Sequence, residues 1–198
     1  MSESIIFQAP DTLLRLTLMQ TRVRVLMART TRMTQEAADI HQASDTAACA
    51  MGRLLSACSI MGALADGVRL TVSVSGGGAG GRMTCGAQDN QLKITVQYPQ
   101  AELPMTPEGK LDVAGYVGTR GQLVVVKDFG EGEPFTSLSN LVSGELGEDF
   151  AHYFTVSEQK PSLIALGCLN QDGVVLSAGG ILIQPLPGCP DRTITDLE

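Results

Sequence analysis

Five cysteines, two histidines, a cluster of carboxylates and a glycine run are the residues of this 198-residue chain whose types could do chemistry. Cys49, Cys58, Cys85, Cys168 and Cys189 are odd in number and irregular in spacing. They form no CxC or CxxC pair and no Cys/His cluster, so a structural zinc site of familiar spacing is missing from these residues. A disulfide framework does not suit a chain long enough to build a good core. Cys49, Cys58 and Cys168 sit among Ala, Leu and Gly, where Cys acts as a small hydrophobe. A Cys-dependent enzyme would need a low-pKa thiol beside a base. The pair Cys168 with His152 is the nearest candidate, but no Gly-x-Ser-x-Gly elbow or other nucleophile motif supports it. Glu145, Glu148 and Asp149 could be paired carboxylates. Their place in the first turns of a predicted helix gives them a simpler role, as negative charge at the positive helix end. The glycine run at residues 75–81 lacks the Gly-Lys-Ser/Thr that opens a helix in a phosphate loop. It reads as a flexible connection between strands.

Two further stretches leave alternatives open. Ser157-Glu158-Gln159 follows an amphipathic helix and precedes Pro161. Glu158 could cap that helix, or Glu158 and Gln159 could bridge to another subunit as a dimer interface. Ile181 and Ile183, with Leu186 beyond them, could form an inner core strand or a sticky apolar surface near the chain end.

The elements that must position these residues follow from pattern. Residues 12–19 read as a short helix. Val23, Val25 and Met27 alternate with Arg22, Arg24 and Leu26 and predict a strand to about Arg29, with Arg22, Arg24, Arg29 and Arg32 on its wet side. Thr31 or Thr34 is the candidate cap of a next helix. Ser44 is the candidate cap of the clearest one, residues 45–65, which is apolar nearly all round and so predicted to be the central core helix. Val68 to Ser75 alternates cleanly as a half-buried strand, and residues 82–87 and 92–98 bracket Asp89-Asn90 as a hairpin. A short helix at 111–117, a strand at 123–129, a turn at 130–134 and an amphipathic helix at 144–157 follow. Residues 163–169 and 174–186 flank Gln171-Asp172-Gly173 as a second hairpin. The fold class expected is α+β, with largely antiparallel sheets packed on a buried central helix plus further helices.

Composition limits the function. Apolar residues make up 43% of the chain, enough for a sizeable core, and the net charge of -7 argues against nucleic-acid binding, which needs clustered cations. The first ten residues carry no signal-peptide pattern, and no stretch was expected to reach the roughly 20 apolar residues of a membrane span. A soluble cytoplasmic protein without a membrane or nucleic-acid partner is expected.

Several ordered blocks resemble the 33 kDa chaperonin family, the redox-regulated Hsp33 holdases. They are His41-x-x-x-Asp45 leading to Ala50-Met51-Gly52-Arg53-Leu54-Leu55, Met61-Gly62-Ala63-Leu64, Leu70-Thr71-Val72-x-Val74 and Gly109-Lys110-Leu111-Asp112-Val113. The strongest is Leu141-Val142-Ser143-Gly144-Glu145, followed by Glu148-Asp149 and Tyr153-Phe154-x-x-Ser157-Glu158-Gln159-x-Pro161-Ser162, and Ala178-Gly179-Gly180-x-Leu182-Ile183-Gln184-x-Leu186-Pro187-Gly188 closes the set. The resemblance covers about residues 20–190. It implies an ATP-independent holdase, not an enzyme, that binds unfolding client proteins under oxidative stress, commonly as a homodimer. It places the family's N-terminal core at residues 1–186 and the start of a linker at 187–198. A C-terminal domain holding zinc on CxC and CxxC cysteines belongs to the longer family members. None of the five cysteines here matches that motif, so no zinc ligand is carried over and no cofactor is expected in this chain. A chain cut at the linker is the expectation, rather than a family member that has lost its zinc. The alternatives are a structural dimerisation module and a Cys-dependent enzyme.

Overall fold

The computed structural model describes residues 10–189 except 19, 21 and 90. The expectations placed on the first nine residues, on Met19 and Asn90 and on the tail from 190 to 198 lie outside the described residues.

The organising element is the helix Asp45–Leu64. Ser44 caps it as the sequence implies: its Oγ accepts the N–H of Ala47 at 3.2 Å. Fourteen of its 20 residues are buried, on all sides, which is what its lack of a polar face requires. By length and hydropathy it does reach what a membrane span needs, contrary to the sequence-based expectation, but most of it is buried inside the protein. Taking elements in chain order, two strands, β1 (Thr12–Leu18) and β2 (Val23–Arg29), precede the helices α1 (Thr31–His41) and α2 (Asp45–Leu64). The strands β3 (Arg69–Ser75), β4 (Arg82–Gln88) and β5 (Gln91–Val96) come next, followed by the short helix α3 (Val113–Val117). Then come β6 (Gln122–Asp128), β7 (Phe135–Asn140), α4 (Gly147–Val156), β8 (Leu163–Gln171) and β9 (Val174–Pro185). The strands make two antiparallel sheets, ordered β1-β2-β9-β8 and β5-β4-β3-β6-β7. Helix α2 packs against β2, β8 and β9 of the first sheet and against β3, β4 and β5 of the second, so the fold is α+β with a central helix between sheets.

Residues 12–18 form a strand, not the helix expected. Leu13, Leu14, Leu16 and Leu18 fit both periods, and the backbone pairing of Thr12–Leu18 with β2 decides for the extended form. Residues 135–140, which had no element assigned, form edge strand β7; their Ser- and Thr-rich pattern gives no strong alternation, and pairing with β6 sets them. The glycine run is a packed connection rather than a loose one. A Cβ on Gly76 or Gly78 would meet the backbone of α3 and Gly118 at 2.2 and 2.4 Å, so those glycines let two chain segments touch and leave no cradle for a phosphate. Helix α1 is capped from outside. Thr30, not Thr31 or Thr34, is its N-cap and makes no side-chain cap bond. The Asp11 carboxylate accepts the N–H groups of Arg32 at 2.9 Å and Met33 at 2.7 Å.

The carboxylates ahead of α4 divide their roles. Asp149 is fully buried and accepts the N–H groups of Val142 at 2.7 Å, Ser143 at 3.0 Å and Leu146 at 3.0 Å. Glu145 instead pairs with Arg53 of α2. The helix-end reading of this cluster holds, with Asp149 as the residue that folds the preceding loop onto α4. Asp149→Ala removes the acceptor of three N–H groups, that of fully buried Leu146 among them. It is expected to cost about 3 kcal/mol or more, given the worth of hydrogen bonds to charged groups. Urea unfolding of variant and parent reads the loss.

Candidate functional site

Direct pairing puts opposed residues of neighbouring strands on one face of a sheet. In the β1-β2-β9-β8 sheet the inner rows are Arg15–Leu26–Leu182–Ile164 and Leu13–Ala28–Gly180–Leu166. Leu26 and Leu182 are fully buried against α2. The outer rows are Leu16–Val25–Ile183–Leu163, Leu14–Met27–Ile181–Ala165 and Leu18–Val23–Pro185. Every residue of those three rows is apolar; Val23 at one end is buried, and no element among the described residues covers the rest as α2 covers the inner face. Leu14, Leu18 and Met27 are 50%, 51% and 45% exposed. A shallow trough runs across this face where side chains are small, bounded by Leu14, Met27 and Ile181 and floored by Ala165 and Gly167. Large exposed apolar areas of this kind mark interaction surfaces.

The sequence-based arrangement of β2 is therefore inverted. Its arginines do not share a wet side: Arg24 lies on the inner face, and Arg29 lies on the outer one in a fourth row, Thr12–Arg29–Gly179–Gly167, beside the apolar three. Val25 and Met27, predicted to be buried, face outward. Alternation reports only that two faces differ, not which one a helix will cover. Ile181 and Ile183 both lie on the outer apolar face and are half-buried there. Leu186 sits past the strand end, its N–H donating to the Arg22 carbonyl at 2.8 Å, and Arg22 also donates to the Pro187 carbonyl at 3.0 Å. Leu14, Leu16 and Leu18 of β1, with Val25, Met27 and Leu163, belong to the same face and were not singled out. The alternation Leu14, Leu16, Leu18 was the available signal. Strand β1 is exposed along its whole length and forms one edge of the sheet.

Glu158 and Gln159 lie elsewhere, after α4. Glu158 Oε1 accepts from Lys127 Nζ at 2.5 Å and from the Tyr153 hydroxyl at 2.9 Å, and that hydroxyl also lies 2.7 Å from Ser137 Oγ. Burial alone would raise the Glu158 carboxyl, but the bonds from Lys127 and Tyr153 and the charges of Lys127 and Lys160 outweigh it and hold the group below its usual range. Burial also drives the Tyr153 hydroxyl well up, so it stays a neutral donor. Glu158 is thus held within its own chain, and Gln159 beside it is exposed.

What meets the Cys168 thiol is Cys49 rather than His152. Among the described residues no three metal-ligating side chains come together, and the buried cysteines meet only as the pairs Cys49–Cys168 and Cys58–Cys85. Two thiols without further ligands do not fit a zinc ion.

A family model described as Hsp33 protein matches residues 11–198. The 33 kDa chaperonins of Staphylococcus aureus strains JH9 and Newman are each 45% identical to the chain over 179 residues, 89% of this chain and 61% of theirs. A crystal structure of the 33 kDa chaperonin (heat shock protein 33 homolog) of Thermotoga maritima matches with a TM-score of 0.85 at 34% identity, covering 91% of this chain and 63% of that one. The chain spans about three fifths of the length of these relatives.

A carboxyl held low in the folded state stabilises the fold above its unfolded-state pKa, and that contribution is lost as pH falls through the lower folded value. Glu158→Gln is expected to cost about 1–2 kcal/mol at neutral pH, the worth of its charged hydrogen bonds. The gap between variant and parent should close as pH falls below the ordinary glutamate range. Urea denaturation at pH 7 and in the acid range measures it.

Proposed function

The chain belongs to the Hsp33 protein family, and from that premise we propose that it is the client-binding core of an ATP-independent, redox-regulated holdase. In this reading it is not an enzyme, works in the cytoplasm, and holds unfolding proteins during oxidative stress. The observation that carries the proposal is the outer face of the β1-β2-β9-β8 sheet, with three cross-strand rows made only of apolar residues. An unfolding protein exposes apolar side chains and unpaired backbone together. The apolar rows suit the first, and β1, the edge strand among the described residues, suits the second by strand addition. Ile181 and Ile183 are the proposed centre of the client surface, with Leu186 at its border. Zinc and the four-cysteine switch are proposed for the longer family members. Their chemistry, metal release on thiolate oxidation, has no CxC or CxxC to act on in these 198 residues.

Light scattering from a thermally unfolding client enzyme tests the reading. A few-fold molar excess of this chain is expected to suppress aggregation in reducing and in peroxide-treated buffer alike. No suppression in either would overturn it. Leu16→Glu and Ile181→Glu, each removing one apolar contact worth about 1.5 kcal/mol, are expected to weaken suppression about tenfold while circular dichroism stays unchanged.

We also propose a homodimer, with Gln159 rather than the internally bound Glu158 as the residue of that pair free to face a partner. Sedimentation is expected to give a species of twice the 20.9 kDa chain mass. Gln159→Arg should shift it towards the monomer.

A further inference from the structure

The closest meeting of chemically reactive side chains lies away from the apolar face, where α2 rests on β8. Gly52 makes the approach close: a Cβ there would stand 2.9 Å from Cys168 Sγ and 2.9 Å from Thr34 Cγ2, so only glycine lets the helix sit this near the strand. Cys49, one turn earlier on α2, directs its thiol to the Cys168 carbonyl at 3.4 Å. The Cys168 thiol reaches back towards the Ala48 carbonyl at 3.9 Å, so each thiol lies against the other residue's stretch of backbone. The join is fixed on both sides. The Asp45 carboxylate on the first turn of α2 accepts from Asn170 Nδ2 at 2.8 Å and from the Gly173 N–H at 2.9 Å, which holds the β8–β9 hairpin to the helix.

We propose that Cys49 and Cys168 are a peroxide-sensitive dithiol that closes into an intramolecular disulfide between α2 and β8. The local charges support the assignment of roles. The Cys168 thiol, then the Arg53 guanidinium one turn along and the Asn170 backbone N–H, favour the thiolate of Cys49 and outweigh its burial, leaving that thiol below the usual range. The same contact and burial push Cys168 the other way. Cys49 is thus the attacking thiol and Cys168 the resolving one. Access is from the side of Cys168, which is half-buried on β8, the outermost strand of its sheet. The Cys49 thiolate attacks one peroxide oxygen and displaces hydroxide, which takes up the thiol proton as water, leaving a sulfenic acid. The Cys168 sulfur then attacks the sulfenyl sulfur, and the second water departs with the Cys168 proton. One peroxide is reduced to two waters and two thiols are oxidised to one disulfide.

The pair Cys58–Cys85 is the internal control. Both thiols are buried in the core, and burial followed by contact with Cys85 drives Cys58 well up. Thiolate is therefore scarce at Cys58, and both thiols are shielded from peroxide, which predicts slow oxidation of the second pair.

The experiment uses the whole 198-residue chain, reduced, desalted, exposed to hydrogen peroxide, blocked with iodoacetamide and mapped by mass spectrometry without reduction. The peptides carrying Cys49 and Cys168 are expected as a cross-linked species two hydrogens lighter than their sum, reversed by dithiothreitol. On a non-reducing gel the protein should stay at monomer mass. Loss of free Cys49 should run about tenfold or more faster than loss of Cys58 or Cys85, following thiolate fraction and exposure. In Cys168→Ser, Cys49 should accumulate as a sulfenic acid trapped by a cyclic dione. Full iodoacetamide labelling of Cys49 and Cys168 after peroxide overturns the proposal. So does a cross-link between chains, or oxidation of Cys58 and Cys85 at the rate of Cys49. The cross-link in the unsubstituted protein needs no variant to fold, and it reads independently of any effect on client aggregation.

Discussion

Every layer of this protein depends on burying one helix from all directions. Helix α2 carries no polar face, and the residues that turn towards the sheets include Ala47, Ala48, Ala50, Gly52, Ser56 and Ala57. Small side chains let two sheets and α1 come close, and close approach gives dispersion contacts and excludes water without voids. Polar groups inside are few, and the Ser56 hydroxyl on α2 is paired. Ser56 Oγ donates to the Gly52 carbonyl at 2.7 Å and lies 2.7 Å from Thr30 Oγ1, so its burial carries no unpaired hydroxyl. While α2 takes up the inner face of the four-stranded sheet, no element among the described residues covers the other face in the same way. The apolar rows are the remainder after the core has been satisfied.

Much of the fold was legible because its signals are local. Ser44 before a long apolar run, the Asp-Gly turn between β8 and β9, and the strict alternation of β3 each depend on residues within a few positions. The failures share a cause of the opposite kind. Strand β1 was read as a helix because Leu13 beside Leu14 blurs the period, and only pairing with β2 resolves it. The capping of α1 comes from Asp11, some twenty residues upstream. The glycine run looked loose because nothing in its own sequence reveals that α3 lies against it.

The candidate surface was half legible. Ile181 and Ile183 were marked as apolar and near the chain end, but their neighbours on one side come from β2, more than 150 positions earlier, and register is not written in either strand alone. For the same reason Val25 and Met27 were assigned to the wrong side. The cysteines show the limit from another direction. Their spacing denied a zinc motif, which is a local statement, while the meeting of Cys49 with Cys168 is set by helix-on-sheet packing and has no signature along the chain. The family's blocks carried what periodicity could not, because order and spacing over the whole chain stand in for tertiary contacts.

The pairing of β2 with β9 has a consequence for how the molecule comes into being. The second strand of the fold waits for the last to be made, so one flank of α2 stays bare while the intervening residues are translated. Contacts of such long sequence separation are slow to form, and chains holding open apolar surface meanwhile are prone to associate. The five-stranded sheet, built from β3 to β7 in an unbroken run, can assemble ahead of it. A nascent chain of this protein thus passes through a stage in which half its scaffold is finished and the other half is itself an unfolded polypeptide.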